Sequence, residues 1–542
     1  MLENNVYVAE KNSLKNNTLK AYLDIPYSLI GKELDGGGTY IKREINQILA
    51  LYDIYNNGAN FSPEGSGGDY VPADLRYKKS AKLINKEARF LFGNMPDIIV
   101  DLTGDTNENT DYIKDNITNM QNLLNKVFEK NYFENTLLQA AKDCFIGSRV
   151  ACLVNFNENT GVTLRFLKPT QFVYEMSQDT PGELSKFVAF ITTKYSQSKI
   201  DKRIFKKKYE LEYENGEPVV YLEEEMYNGS GELLEVITER QSILLSRIPA
   251  VVILNDGLTG DNYGVSEIEE LMYAESWYSK LSNGDIDAAR KSMHPIRYTV
   301  DMNVKSTKNL SSAPGSYWDL HTDQNLDKPA PAVGQLTSSL EYSGSLDTTL
   351  KRINTEMHDI VEMPDITLEN MSSIITSGKA LKAVYWPLIV RCNEKMKAWG
   401  PQLKNIAYII IEGAIKYPNT IKRLSDVAIL DVPYEINVEM NYPLPEDEQE
   451  EKEMDITEVG SDLMSKKTYM KKWRNLTDAE VEEELKQIAF EKELLESSSG
   501  FNDFSIDNNY NNIDDTEQTD DIVQQDEQEE TKEQIEEENM NE

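Results

Sequence analysis

The sequence predicts an α+β fold in which a block of antiparallel strands lies between long helices. Short apolar runs from residue 148 to about 254 alternate with the turn sequences Asn215-Gly216 and 228–231, which is typical of hairpins. On both sides of this block, apolar residues recur at intervals of three and four, which is helical spacing. The 542 residues are enough for a sizeable core and more than one domain.

The elements before residue 292 follow from local patterns. Apolar spacing predicts helices over residues 40–56 and 76–93, one or two helices over 111–147, and a short strand at 97–100. Ser266 with Glu269 three residues later forms a capping box, so a further long helix should start there and end near Arg290. Residues 292–343 have the composition of a small mixed insertion with a strand at 296–300.

Residues 346–418 are the most informative stretch. A helix with heptad spacing is predicted through the apolar residues Leu346, Leu350, Ile353, Met357 and Ile360. It should end at Met363-Pro364, where a polar loop over 365–373 begins. A second long helical pattern opens at 377–382, and we expect proline to break it at Pro387 and again at Gly400-Pro401. Two long helices would thus hold a polar loop in place.

The remaining segments are a strand, a small helical unit and a charged tail. Strand character returns at 426–440, and a helical unit follows, its last helix capped by Thr477 with Glu480 three residues on. From residue 501 onward, sixteen acidic residues and one base give the tail a charge of −15. The tail accounts for that part of the net −37, which leaves −22 for the other residues. So few apolar side chains predict a disordered tail.

Several classes of function have little support in the sequence. Three cysteines without metal spacing and three scattered histidines, none in HExxH, offer little to thiol, zinc or acid–base chemistry. Ser377-Gly378-Lys379-Ala380 lacks the hydroxyl and the earlier glycine of a P-loop. We therefore expect no enzyme, catalytic residue, metal or cofactor, although a hydrolase with an unfamiliar carboxylate site stays open as a third alternative.

The chain also lacks signals for membranes, secretion and ordinary DNA binding. No apolar run approaches the roughly 18 residues of a membrane span. The first residues have no basic region followed by an apolar one, so we expect no signal peptide. The sparse cysteines fit a reducing compartment, and the acidic balance argues against a DNA-binding protein with a basic face.

Several segments, taken in order, resemble the portal (connector) proteins of tailed double-stranded-DNA phages. In that family a wing, a stem helix, a clip, a returning helix, a tunnel loop, a kinked helix and a crown follow one another. The matching segments in this chain are Phe90-Leu91-Phe92-Gly93-Asn94-Met95-Pro96, Arg247-Ile248-Pro249-Ala250-Val251-Val252 with Asn255, Tyr263-Gly264-Val265-Ser266-Glu267, Asn283-Gly284-Asp285 and Ser377-Gly378-Lys379-Ala380-Leu381-Lys382.

The resemblance implies a phage portal fold, α+β, with fixed regions. These would be an N-terminal arm over 1–39, an antiparallel-sheet wing over 40–264, a stem helix over 265–291, a small α/β clip over 292–343, a returning stem helix over 344–362, a tunnel loop over 363–377, a kinked tunnel helix over 378–418, a return to the wing over 419–445, a helical crown over 446–500 and a disordered acidic tail over 501–542.

The resemblance also implies a ring of about twelve copies at one capsid vertex of the virion, assembled in the host cytoplasm. Its partners would be double-stranded DNA without sequence preference, the terminase large subunit, the major capsid and scaffolding proteins, and the head-completion or adaptor protein, with no membrane and no cofactor. The alternative is another capsid-associated adaptor or head protein that forms small oligomers without a channel.

Candidate site residues follow from this placement. The tunnel-loop residues expected to face DNA are Thr367, Glu369, Asn370, Ser372 and Ser373. Candidate bases near DNA are Lys379, Lys382, Lys305 and Lys308, which could equally be solvated surface lysines. Gly378 and Pro387 would set the angle of the loop, although Pro387 could simply kink a surface helix.

Overall fold

The fold is described from a computed structural model. It describes the ranges 25–33, 38–61, 72–103, 110–177, 182–194, 200–257, 263–293, 296–300, 332–336, 341–365, 382–422, 429–443, 448–474 and 478–499, together with residues 180 and 476. The chain divides into two compact units, Met1–Glu446 and Asp447–Glu542.

The helices of the first unit include the long ones predicted from apolar spacing. They are α1 Tyr27–Ile30, α2 Gly38–Asn57, α3 Lys79–Phe92, α4 Thr110–Lys130, α5 Phe133–Gly147, α6 Glu267–Met293, α7 Ser343–Ile360, α8 Trp386–Lys416 and α9 Pro418–Ile421. Its strands are β1 Asp97–Leu102, β2 Arg149–Asn157, β3 Gly161–Leu167, β4 Phe172–Met176, β5 Leu184–Lys194, β6 Arg203–Glu214, β7 Glu217–Asn228, β8 Leu233–Ile243, β9 Ala250–Leu254, β10 Ile296–Val300, β11 Ala332–Leu336 and β12 Tyr434–Glu439.

Antiparallel pairing joins the strands of this unit, so the predicted α+β class is confirmed. The largest sheet has the order β4-β5-β6-β7-β8, and a second sheet has the order β3-β2-β9. Strand β1 pairs with β12, and β10 pairs with β11. Asn215 and Gly216 both have positive φ, 54° and 89°, as the tight β6–β7 hairpin requires.

Helix α6 starts where the sequence predicts. The Ser266 hydroxyl accepts a hydrogen bond from the backbone N–H of Ile268 at 3.2 Å and donates one to the carbonyl of Ile146 at 2.6 Å. The cap thereby satisfies a free N–H group of the first turn and ties the helix start to the end of α5. Helix α7 packs beside α6, and Tyr342 donates to Asp285 at 3.1 Å.

The core of the first unit is built around α8. Trp399, Leu403 and Ile406 are fully buried, and the Trp399 ring meets Phe92 of α3 edge-on at 4.9 Å. The break expected at Gly400-Pro401 is wrong, because α8 runs unbroken through Pro401. Pro401 is exposed, and Gly400 has no side chain to clash with the proline ring.

Gly413 permits a close approach of α8 to strand β2. A Cβ at this position would lie 2.1 Å from the Phe156 ring of β2. We expect Gly413→Ala to lower the free energy of unfolding by about 1–3 kcal/mol, since core overpacking costs that much. The matched control is Gly284→Ala in α6, where a Cβ meets nothing within 4 Å. There the better helix propensity should stabilise by about 0.5–1 kcal/mol.

Chemical denaturation of both glycine variants measures the difference. Equal effects at Gly413 and Gly284 would show that Phe156 moves aside at no cost.

In its described residues, the second unit holds the helices α10 Glu448–Gly460, α11 Lys466–Arg474 and α12 Asp478–Ser499. Met470 and Val481 are buried between them, and the Trp473 indole donates to Asp455 at 2.7 Å. The predicted cap Thr477 lies outside the described residues.

Candidate functional site

Most of the predicted site residues lie outside the described residues. These are Thr367, Glu369, Asn370, Ser372, Ser373, Gly378, Lys379, Lys305 and Lys308. Lys382 is described and its side chain is exposed. Pro387 lies in the first turn of α8, where the N–H group that proline lacks would have no partner within the helix. A turn at Tyr385 separates α8 from the helical residues 382–384. The described site is therefore the frame that holds residues 366–381 at both ends.

The N-terminal end of this frame is a compact turn after α7. Glu362 takes a left-handed conformation, with φ of 51°, and the N–H of Met363 donates to the carbonyl of His358 at 2.9 Å. Met363 and Val361 are buried. The chain thus leaves α7 in a fixed direction.

Polar contacts hold the last described residue of this turn, Asp365. Its carboxylate accepts a hydrogen bond from Asn354 at 2.9 Å and lies 3.5 Å from Nε2 of His358. Asn354 in turn accepts one from Lys79 of α3 at 2.6 Å. The His358 Nδ1 lies 3.2 Å from the carbonyl of Met363. A chain of side chains from α3 through α7 therefore fixes the start of the loop.

Burial lowers the pKa of His358, and the charges of Lys86 and Lys79 act in the same direction, while Asp365 and the carbonyl of Met363 oppose it. The unfolded chain therefore binds more protons at this site just below the ordinary pKa of 6.5. We expect stability to fall as the pH drops through this range, because protonation favours the unfolded state.

Melting temperatures between pH 7.5 and pH 5.5, compared with those of His358→Asn, measure this contribution. The wild type should lose more stability on acidification than the variant, since the other titrating groups are common to both. Parallel curves for the two proteins would contradict the assignment.

The C-terminal end of the frame is held by aromatic stacking. The Tyr385 ring, one residue before α8, stacks on Phe90 of α3 with centroids 5.6 Å apart. Phe90 also stacks on Tyr442 at 5.4 Å, and the Tyr442 hydroxyl donates to Asn393 of α8 at 2.6 Å. Helix α3 therefore contacts both sides of the frame, Asn354 of α7 through Lys79 and Tyr385 through Phe90.

A cluster of four charges lies in the interior between the helices of the frame. Glu87 comes from α3, Glu267 is the first residue of α6, and Arg391 and Lys395 are one turn apart on α8. The Glu87 carboxylate lies 3.0 Å from Arg391 and 3.4 Å from Lys395, and Glu267 contacts both cations as well. Asn255, just after β9, accepts from Lys395 at 2.9 Å and donates to Glu267 at 3.1 Å.

The two carboxyl groups of this cluster titrate differently. Burial raises the pKa of Glu87, and the charge of Glu267 raises it further. Burial opposes ionisation of Glu267 too, but Lys395 and Arg391 outweigh it and hold its pKa below the ordinary value. Two acids facing two bases can be neutral as a group, which is the condition for burying them.

Arg391 also connects the two helices that flank the loop. Its guanidinium donates to the carbonyl of Ile360, at the C-terminal end of α7, at 3.4 Å. The buried cluster therefore joins α3, the start of α6, the end of α7 and the first turns of α8.

Helix α6 is held along its length by a second set of contacts to the segment before α3. The Glu275 carboxylate accepts from the N–H of Lys79 at 3.1 Å and of Ser80 at 3.3 Å, at the N-terminus of α3. About two turns on, Asn283 exchanges two hydrogen bonds with the backbone of Leu75, and about three turns on, Asp287 accepts one from the N–H of Ala73.

The sequence reasoning missed the charged cluster. One signal was available: Arg391 and Lys395 interrupt a helix face that also carries Leu388, Cys392 and Trp399, all buried. Charges on an apolar face indicate buried partners, although the pattern does not say which.

Other kinds of site find no support in the described part of the chain. Within it, no group of His, Cys, Asp and Glu side chains could hold a metal ion. None of the helices described there is long and apolar enough to cross a membrane.

Residues 320–496 match the family model described as phage portal protein, SPP1 Gp6-like. The resemblance to phage portal proteins is confirmed. The match includes α7, α8, residues 366–381 between them and the helices of the second unit up to residue 496, whereas α3 and α6 lie before it. The earlier segments that resemble portal proteins, from Phe90 to Asp285, lie outside it. No curated protein matches the chain.

The portal match supports a phage portal role and a place in the virion. The portal family is structural rather than enzymatic.

Proposed function

We propose that this chain assembles into a ring of about twelve copies at one capsid vertex, with a central channel for double-stranded DNA during packaging and ejection. The portal match over residues 320–496 carries the proposal, because it contains the loop and both flanking helices.

Residues 363–377 form the tunnel loop of this channel. Thr367, Asn370, Ser372 and Ser373 supply polar, uncharged contacts to DNA, and Glu369 adds a weak repulsion. The anchoring of Asp365 and Tyr385 at the two ends supports this role, because a loop that faces moving DNA needs a fixed base. Gly378 and Pro387 set the angle at which the loop leaves α8.

Weak adhesion suits a conduit. Several Lys or Arg contacts to phosphate shift DNA affinity by ~10³-fold or more, which would stall sliding. The chain without its tail carries a net charge of −22, which opposes tight binding of a polyanion. Lys305 and Lys308 in the clip and Lys379 and Lys382 after the loop are the bases that approach DNA, and the exposed side chain of Lys382 is compatible with this.

The ring is also the docking platform for other parts of the particle. Its partners are the terminase large subunit during packaging, the major capsid and scaffolding proteins during assembly, and the head-completion or adaptor protein afterwards. Assembly takes place in the host cytoplasm.

Native mass spectrometry of the purified full-length protein tests the ring. We expect a discrete assembly of about twelve chains, because a ring with closed cyclic symmetry has a fixed number of subunits. A strict monomer at every concentration and salt condition would contradict the ring. Small oligomers would favour a capsid-associated adaptor without a channel.

A further inference from the structure

Strand β8 exposes apolar side chains on both of its faces. The exposed fractions are 49% for Leu233, 47% for Leu234, 46% for Val236 and 47% for Ile237. Strand β8 is also an edge of the five-stranded sheet, so no other described strand pairs with its outer side. An exposed apolar edge strand is a site for pairing or aggregation unless something covers it. The opposite edge strand, β4, buries Phe172 and Val173.

The chain enters the described fold next to this strand. Ile25 is 2% exposed and belongs to the same buried hydrophobic cluster as Tyr227 of β7. The side chains of Ser28 and Pro26 lie 2.9 Å and 3.6 Å from the position of a Cβ on Gly231, in the turn between β7 and β8. The 24 residues that precede Ile25 therefore leave the fold within a few residues of Leu233.

The exit lies on the same face of the sheet as part of the exposed apolar surface. In the register of β7 and β8, Tyr227 is opposite Leu233, and Glu225 is opposite Val236. Cross-strand partners project to the same face. Tyr227 and Ile25 belong to one buried cluster, and Glu33 pairs with Lys206, the cross-strand neighbour of Glu225. Residues 25–33 therefore cover this face up to β7. The next uncovered side chains on it are Leu233 and Val236.

The sequence before Ile25 suits an extended segment with one apolar face. Leu19, Ala21, Leu23 and Ile25 alternate with Lys20, Tyr22 and Asp24, and period two places the first set on one side of a strand. Because the side chain of Ile25 is buried against the sheet, the side chains of Leu23 and Leu19 would point toward the same face of the sheet as Ile25. Lys20, on the other side of the segment, would bring positive charge toward Glu235, which is exposed and, as the partner of Met226, lies on the other face of β8.

We propose that the N-terminal arm, residues 1–24, docks along β8 of its own chain and covers the exposed apolar edge. Twenty-four extended residues span up to about 80 Å, more than β8 with its eleven residues requires. The arm thereby completes the sheet and blocks edge-to-edge pairing with other molecules. The inference stands on the geometry of the sheet and does not depend on the channel.

Hydrogen–deuterium exchange of residues 233–243 tests the docking. Two variants remove the arm's contact: one starts at Asp24, and the other keeps the full length but carries Leu19→Ser and Leu23→Ser. We expect exchange in β8 to become about tenfold faster or more in both, because a covered edge becomes open. If the truncated chain fails to fold, the full-length variant still decides.

The matched control is Tyr22→Ser, on the other side of the same segment, which should leave exchange in β8 unchanged. Unchanged exchange in the Leu19/Leu23 variant would overturn the proposal, as would an equal effect of Tyr22→Ser. Protection of β8 that disappears on dilution of the intact protein would also overturn it, because a second copy would then be the occupant.

Discussion

Replacing Lys395 by Met should lower the free energy of unfolding by about 3–5 kcal/mol, the usual result of removing one partner from a buried ion pair. Lys395 is 8% exposed and contacts Glu87, Glu267 and Asn255. Without it, two buried carboxylates face the single guanidinium of Arg391. The protein must then protonate a carboxyl group or admit water, and either response costs stability.

The matched control removes the charge opposite Lys395 as well. Glu267→Leu with Lys395→Met leaves Glu87 paired one-to-one with Arg391 at 3.0 Å, and Asn255 keeps its hydrogen bond to the carbonyl of Val265 at 2.8 Å. The double variant should lose less stability than Lys395→Met alone, since no uncompensated charge remains. Chemical denaturation of the two variants measures the difference. Additive losses would show that the two residues act independently and that the cluster is not a unit.

Deleting residues 366–373 should leave ring assembly intact and abolish most packaging or retention of DNA. The deletion spares Asp365, Tyr385 and Arg391, which hold the frame through contacts that do not involve the deleted residues. The residues it removes, from Thr367 to Ser373, are those proposed to face DNA. Particle yield and DNA content of heads assembled with the deleted protein provide the measurement.

A truncation after Gly500 is the control for the deletion, because it removes more residues than the deletion does. The segment after Gly500 has few apolar side chains, so its removal should not lower thermal stability. If rings fail to form when 366–373 are deleted, the loop is an assembly element and not a lining of the channel.

The long elements could be predicted from local pattern. The capped start of α6 at Ser266, the hairpin at Asn215-Gly216 and the heptad helix ending near Met363 each depend on residues close together in sequence. Period and turn chemistry carry that information.

The charged cluster could not be predicted, because its members lie at positions 87, 255, 267, 391 and 395 and meet only in three dimensions. The unbroken course of α8 through Pro401 could not be predicted for a related reason. The cost of a proline in a helix depends on whether the helix face that carries the proline is buried. The side chain of Pro401 is exposed.

An image of the purified assembly along its symmetry axis, for the wild type and for the protein lacking residues 366–373, tests the channel most directly. We predict closed rings with the same number of subunits for both proteins, with a central hole that is wider after the deletion. A compact wild-type particle without a hole, or holes of equal width in both proteins, would contradict the proposal that this loop lines a channel for DNA.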